Sequence, residues 1–255
     1  PYHTRKACSR AGDYRVELID TFGRYNRLRG SRVVADYCMI REHGSGRPRM
    51  YAITEPCAIR ELRGHQILTA LDVLAELRIR VFRDWPYLYD GDPAYERRYL
   101  ATYADSPQAY CALAEIDGQV VGATTAIPLL DETPEVQAPF LTAAIDPTTV
   151  FYFGESVLLP EFRGRGIGHS FFDLREAAAA LLPGITHTAF CAVQRPTEHP
   201  LRPREHRSLD AFWRARGYRP HADLTSWFRW KDLDQPTESA KPMRYWVRAL
   251  SSGSV

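Results

Sequence analysis

The sequence predicts an α+β fold, sandwich-like in its layering, and three observations carry that expectation. Runs rich in β-branched and aromatic residues alternate with stretches whose apolar residues recur every three or four positions, in the order β-α-α-β-β-β-α-β-α-β-β. Asp117-Gly118 separates two β-rich runs and is a strong two-residue hairpin signal. Residues 150–184 read in direct succession as strand, glycine-rich turn and helix.

Taken in order, Ala58–Leu62 reads as a short first strand. A helix over 66–82 follows, with Ile67, Leu71, Leu74, Arg78 and Val81 on one face. The loop 84–93 is aromatic and acidic; Asp92 is an N-cap with Pro93 at the first helical position. A second helix, 93–104, carries Tyr95, Tyr99 and Tyr103. Strands are expected at Tyr110–Ile116 and Gln119–Ile127, then a Pro- and acid-rich insertion at 128–148 with a short helix around 137–144. Val150-Phe151-Tyr152-Phe153 opens the next strand, and Pro160, which cannot donate to a ladder, closes it. Phe171, Leu174, Ala178 and Leu181 mark a helix stopped by Pro183-Gly184. Thr186–Val193 is a further strand, 194–206 a loop dense in Pro, Arg and His, and 207–216 a helix ended by Gly217. Leu224–Trp230 and Arg244–Leu250 pair as a last hairpin.

The chemistry concentrates at 155–168, Glu-Ser-Val-Leu-Leu-Pro-Glu-Phe-Arg-Gly-Arg-Gly-Ile-Gly. A glycine-rich turn between a strand and a helix N-terminus lets backbone N–H groups approach an anion, and the helix dipole adds roughly half a positive charge there. Arg163 and Arg165 add two more charges. The spacing fits neither the phosphate loop of nucleotide hydrolases nor the dinucleotide fingerprint. Arg163-Gly164-Arg165-Gly166-Ile167-Gly168, approached through Leu158-Leu159-Pro160-Glu161-Phe162, resembles the pyrophosphate loop of the GNAT N-acetyltransferase superfamily. A second signature, a helix running into Gly-aromatic, is matched by Ala211–Tyr218, and the likeness spans roughly residues 57–250.

The resemblance implies a mixed, mostly antiparallel sheet with helices on both faces and a splay between its two central strands. It implies acetyl-CoA in that splay: pantetheine along the backbone of Val157, Leu158 and Leu159, and pyrophosphate on the amides of Arg163, Gly164, Arg165, Gly166, Ile167 and Gly168. Backbone amides beside the thioester would stabilise developing negative charge. An attacking amine must lose a proton, and Glu155 is the candidate base. Its competing readings are recognition of a cationic substrate and a buried carboxylate paired to an arginine. The family's late-helix tyrosine, which protonates the leaving thiolate, is matched by Trp213, whose indole is far too weak an acid. Ser208, Tyr218 or water are the acids left open. Trp85, Tyr87 and Asp90, with Asp84, Tyr89 and Asp92, form a candidate pocket for a cationic amine, or simply a capped inter-helix loop. Cys191 is a candidate lining residue; mid-strand, it also reads as an ordinary buried cysteine. His199, His206, Glu198 and Glu205 do not have the spacing of a metal site, and no metal is expected.

The expected function is acyl-CoA-dependent N-acyl transfer, acetyl to a primary amine of a small molecule or peptide, by direct attack in a ternary complex. The alternative is a non-catalytic module of the same fold that holds CoA or another ligand. The formal charge of +2 divides unevenly: residues 1–49 hold 11 Lys/Arg against 5 Asp/Glu, and residues 50–255 hold 22 against 26. The acidic balance of the larger part argues against a nucleic-acid partner. Residues 1–49 lack a core pattern and read as an extension to the domain at 50–255: an upstream-translated or boundary segment, expected to be poorly ordered. A basic nucleic-acid-binding arm is the other reading of that segment. No apolar run reaches membrane-spanning length, so no membrane partner is expected. Five cysteines without Cys-x-x-Cys spacing favour reduced thiols in the cytoplasm. Homodimers are common in the family, and the sequence specifies no interface.

Overall fold

The computed structural model describes residues 57–250 throughout and, of the remainder, the backbone of 10–11, 14–19, 32–34, 37–41 and 49–52. The expectation of poor order for 1–49 falls largely on positions outside those described. The chain forms two compact units, Pro1–Arg60 with Leu113–Val120, and Glu61–Ala112 with Val121–Val255.

In the smaller unit lie β1 (Arg10–Ala11), β2 (Tyr14–Ile19), β3 (Arg32–Val34), β4 (Tyr37–Arg41) and β5 (Arg49–Ala52). β1, β2, β4 and β5 pair in that order, antiparallel throughout, and β3 lies antiparallel to Cys57–Ile59. Its hairpin tip turns at Asp117 and Gly118, with φ of 50° and 75°. Positive φ at both central residues is what a tight turn matched to strand twist requires.

The elements from residue 57 onward are β6 (Cys57–Arg63), α1 (Leu71–Phe82), α2 (Pro93–Asp105), β7 (Tyr110–Ile116), β8 (Gln119–Pro128), α3 (Pro134–Gln137), β9 (Val150–Leu158), α4 (Ile167–Ala180), β10 (His187–Val193), α5 (Asp210–Ala215), β11 (Arg219–Lys231) and β12 (Glu238–Ala249). The main sheet is open and mixed, in the order β11-β12-β10-β9-β8-β7-β6. β8–β9, β10–β12 and β11–β12 are antiparallel, and β9–β10 is parallel. The fold class is the one expected.

Three elements differ from the sequence reading. The helix expected over 66–82 begins as a 3-10 turn, Gly64–Ala70, and becomes α-helical only at Leu71. The helix expected at 137–144 is a single α-turn at Pro134–Gln137 followed by a 3-10 turn over Ala138–Leu141. Pro139 lacks the N–H that would reach back to Glu135, and the Glu135 carbonyl instead accepts the Ser226 hydroxyl at 2.6 Å. The helix expected over 207–216 is confined to Asp210–Ala215, because Ser208 Oγ accepts the Asp210 N–H at 3.1 Å and turns the chain before it.

The core between α4 and the sheet is aromatic. Phe153, Phe171, Phe190, Tyr218 and Trp246 are all buried. Tyr218 meets Phe172, Phe190 and Phe153 at centroid distances of 5.4, 5.0 and 6.3 Å. Each such ring contributes roughly 1.5–3 kcal/mol on removal from water, which fixes α4 over β9 and β10 and so sets where the loop before it stands.

Candidate functional site

The site begins with two strands that part. β9 and β10 pair only at Val150↔His187, Phe151↔Thr188 and Tyr152↔Ala189. Beyond that, β9 stays with β8 through Gly122↔Leu158, and β10 stays with β12 through Val193↔Met243. Each strand keeps its outer partner while the inner edges separate. Ser156, midway along a central strand, is consequently exposed, and Gly154, Leu158, Cys191 and Ala192 are half-buried.

A β-bulge sits where the strands part. Gly154 and Glu155 together oppose Thr125, between the pairs Ala126↔Phe153 and Thr124↔Ser156. The freed backbone groups of Glu155 find side-chain partners: its N–H donates to Thr125 Oγ1 at 3.3 Å, and its carbonyl accepts Thr124 Oγ1 at 2.8 Å and Arg175 Nη1 at 3.4 Å. Position 154 must be glycine, because a Cβ there would collide with Tyr103 Oη and stand 2.8 Å from Thr125 Oγ1.

Leu159 N–H donates to the Val121 carbonyl at 3.0 Å. Strand alternation then turns the N–H and C=O of Leu158 away from β8, toward the gap. Of the three expected pantetheine positions, Leu158 presents its backbone, the Leu159 N–H is already engaged, and Val157 is fully buried. The Leu158 carbonyl is capped by Arg163 Nε at 3.2 Å.

The glycine loop follows. Gly164 and Gly166 have φ of 78° and 81°, a left-handed conformation that only glycine adopts readily. Gly166 is the N-cap of α4 and supplies no side-chain acceptor. Among the described residues, the N–H groups of Gly164, Arg165, Gly166, Ile167 and Gly168 donate to no protein acceptor. A Cβ at 164, 166 or 168 would meet nothing within 4 Å, so the cradle is open. The Arg163 N–H is different: it donates to the Pro160 carbonyl at 3.2 Å, so the set of available amides starts one residue later than expected. Arg165 lies over Phe162 and donates to the Glu161 carbonyl at 3.3 Å. Neither loop arginine meets a carboxylate among the described residues. Five donors at an uncapped helix start fit a diphosphate.

Glu155, the candidate base, is 3% exposed, and its Oε2 accepts Arg78 Nη1 at 2.5 Å. The Arg78 Nε donates to Glu96, and the guanidinium lies over the rings of Tyr99 and Phe82 at 4.6 and 5.0 Å. The arrangement is the arginine-paired carboxylate that the position allowed. Burial opposes the charge on Arg78, and the two carboxylates more than restore it, raising its pKa. The free Oε1 atoms of Glu96 and Glu155 are buried without a hydrogen-bond partner among the described residues.

The remaining candidates fall in different places. Tyr218 is fully buried, with its hydroxyl at 2.9 Å from Thr188 Oγ1 and donating to Glu176 at 3.2 Å; burial raises its pKa. It lies in the aromatic core, beside the paired part of β9–β10. Ser208 is exposed and hydrogen-bonds Asp210 at the start of α5. Trp213 is wedged between Phe190 and Trp246 at 5.1 and 5.0 Å. Asp90 is exposed and tied to Lys231 Nζ at 2.7 Å, which holds its carboxyl below the usual range. Burial raises the pKa of both Tyr87 and Cys191, and a charge on Cys191 would raise Tyr87 further. Burial pushes the Cys191 thiol up to about 12, and its Sγ is 3.1 Å from Tyr152 Oη. Trp85 packs against His199 and His206 at 5.1 and 5.9 Å. Burial and the Arg202 charge lower His206. Among the described residues, no three His, Cys, Asp or Glu side chains converge as a metal requires.

Residues outside the expected site complete the surroundings. Arg195 clamps the aromatic loop, donating to the Pro86 carbonyl at 2.8 Å, the Tyr87 carbonyl at 2.6 Å, and both oxygens of Asp232 at 2.6 and 2.9 Å. Glu132, Tyr99 and Tyr103 form a hydrogen-bonded group against Gly154. Arg78 carried a signal, a charge on the otherwise apolar face of its helix; Glu132, inside an irregular insertion, carried none.

The sequence model described as the acetyltransferase (GNAT) family matches residues 74–203. No curated protein matches the chain. Solved structures with similarity include Arabidopsis thaliana NAA60 in complex with acetyl-CoA, at 12% identity and TM-score 0.49, covering 75% of this chain and 98% of that one. Ribosomal-protein-alanine N-acetyltransferase from Brucella melitensis is similar at 13% identity and TM-score 0.48, covering 75% and 99%. An acetyltransferase from Thermus thermophilus is similar at 15% identity and TM-score 0.43, covering 75% and 97%.

Proposed function

The chain belongs to the acetyltransferase (GNAT) family, and from that premise we propose that it transfers an acetyl group from acetyl-CoA to a primary amine of a small molecule or peptide. The observation that carries this reading is the row of five amides, Gly164–Gly168, without an acceptor among the described residues, at the uncapped start of α4 beside the parted strands. Those amides would hold the diphosphate, and the Leu158 backbone would pair with the pantetheine arm. Bound acetyl-CoA supplies an activated thioester. Arg163 and Arg165 add a salt-sensitive attraction from the loop.

Attack is direct in this reading. Cys191, with its thiol near 12, is almost entirely protonated at neutral pH and is a poor nucleophile. Tyr87, clamped by Arg195, and Trp85 form the wall offered to the acceptor. Holding both substrates in one gap supplies much of the rate gain. The setting we infer is the cytoplasm, where free thiols such as Cys57 and Cys191 persist; no helix among the described residues is long and apolar enough to cross a membrane.

The test is calorimetric titration with CoA, followed by thiol release from acetyl-, propionyl- and succinyl-CoA against an amine panel. Amine-dependent thiol release supports transfer. Tight CoA binding without turnover on any amine supports the non-catalytic module. Absence of CoA binding overturns both.

A further inference from the structure

We propose that Glu132, acting through Tyr99, is the proton acceptor for the attacking amine; the inference rests on the acyl-transfer reading above. Glu155 is held by Arg78, and Glu132 is a second buried carboxyl near the bulge, without such a partner among the described residues. α2 delivers Tyr99 and Tyr103, one helical turn apart, to the same oxygen of Glu132. Tyr99 Oη donates to Glu132 Oε1 at 3.1 Å, Tyr103 Oη donates to the same atom, and the two hydroxyls are 3.1 Å apart. The other oxygen accepts the Thr133 N–H at 2.8 Å. Glu132 is 4% exposed and Tyr103 is fully buried, whereas Tyr99 is half-buried. The hydroxyls therefore link a half-buried tyrosine to a sealed carboxyl.

The network abuts the bulge, since Tyr103 Oη occupies the space a side chain at Gly154 would need. Among the described residues Glu132 has no cationic partner in contact. The titratable groups facing it are Tyr99 and Tyr103 from α2, Glu155 and Tyr152 from β9, Cys191 from β10 and Tyr245 from β12; Arg78 from α1 acts on Tyr99. Burial lifts the Glu132 carboxyl above its ordinary range, against its three hydrogen bonds and assisted by the Glu155 charge. A carboxylate so lifted is a stronger base than a solvated one.

An alkylammonium nitrogen passes one proton to Tyr99 Oη while the Tyr99 proton moves to Glu132 Oε1. The freed lone pair forms the bond to the acyl carbon, and the carbon–sulfur bond breaks with its electrons on sulfur. The second nitrogen proton goes to that sulfur, and Glu132 returns its proton to solvent.

Two measurements test this. In ligand-free protein labelled with carboxyl-13C glutamate, one resonance should titrate above the ordinary glutamate value of about 4.3 and vanish in Glu132→Gln. In steady state, Glu132→Gln and Tyr99→Phe should each lower kcat about 100-fold with CoA affinity unchanged. Wild-type kcat should show a limb that stays put when the acceptor is exchanged for an amine of different pKa, and both variants should lose it. An ordinary titration for Glu132, or an unchanged limb in Glu132→Gln, overturns this inference alone. CoA binding without turnover in wild type overturns the transferase reading and this one with it.

Discussion

Arg78 shows how much one side chain holds in place. Its guanidinium joins Glu96 on α2 to Glu155 on β9, and the two carboxylates are 0% and 3% exposed. Taking the cation away strands two buried anions, which is far worse than never having had the pair. Arg78→Met should therefore lower unfolding stability by about 3–5 kcal/mol, read from urea midpoints. Adding Glu96→Gln and Glu155→Gln to that variant should recover a good part of the loss. This group also marks where sequence reading stops. Asp92 as N-cap is legible because it acts on Tyr95, three residues away, at 2.6 Å. Arg78 and Glu155 are 77 residues apart, and no local pattern links them. Of the candidate residues, Gly164 and Gly166 are legible because their left-handed backbone demands glycine, whereas Ser208, Tyr218 and Asp90 stand out by residue type alone, and their partners lie in the core or at the surface.

At the scale of elements, the stretch from β9 through the loop into α4 is the best specified. Alternation, Pro160, three glycines and a helical period all agree, and consistency of that kind is what makes a segment readable. The Pro-rich insertion is the worst, because α3 depends on Ser226 from β11 to satisfy a carbonyl that Pro139 leaves free. The loop gives a clean separation of stability from binding. A methyl at 166 meets no neighbour, but φ is 81°. Gly166→Ala should lower stability by only about 1 kcal/mol while weakening CoA by more than tenfold, since the strained loop re-aims the amides. Calorimetric titration beside urea unfolding checks both numbers. A loss of affinity no larger than the loss of stability explains would remove the loop from the CoA site.

At the scale of the whole larger unit, Asp232 ties three distant pieces together. Burial works against its charge, but Arg195 and Lys241 hold its carboxyl below the usual aspartate range. A depressed folded pKa means stabilisation present above the unfolded value, about 3.9, and lost as the pH falls through the folded value. Asp232→Asn should therefore be less stable than wild type at pH 7, by about 3 kcal/mol, and the two curves should converge under acid. Glu132 has the opposite sign. Its raised folded pKa gives a contribution that is complete below about 4.3 and fades as the pH rises through the folded value. Scans of unfolding free energy against pH for the two variants should diverge in opposite directions.

The missing side-chain cap at Gly166 has a thermal consequence. Without a guest, the first turn of this fourteen-residue helix has no side-chain cap for its free N–H groups. Whatever anion docks there finishes the helix, so occupancy is repaid as resistance to heat. At a hundredfold excess over Kd the gain is about 2.7 kcal/mol, enough to raise the melting temperature by a few degrees in a protein of this size. Amide exchange at Ile167 and Gly168 should slow first. Inorganic pyrophosphate, having the charge but no adenosine, should reproduce a fraction of both effects.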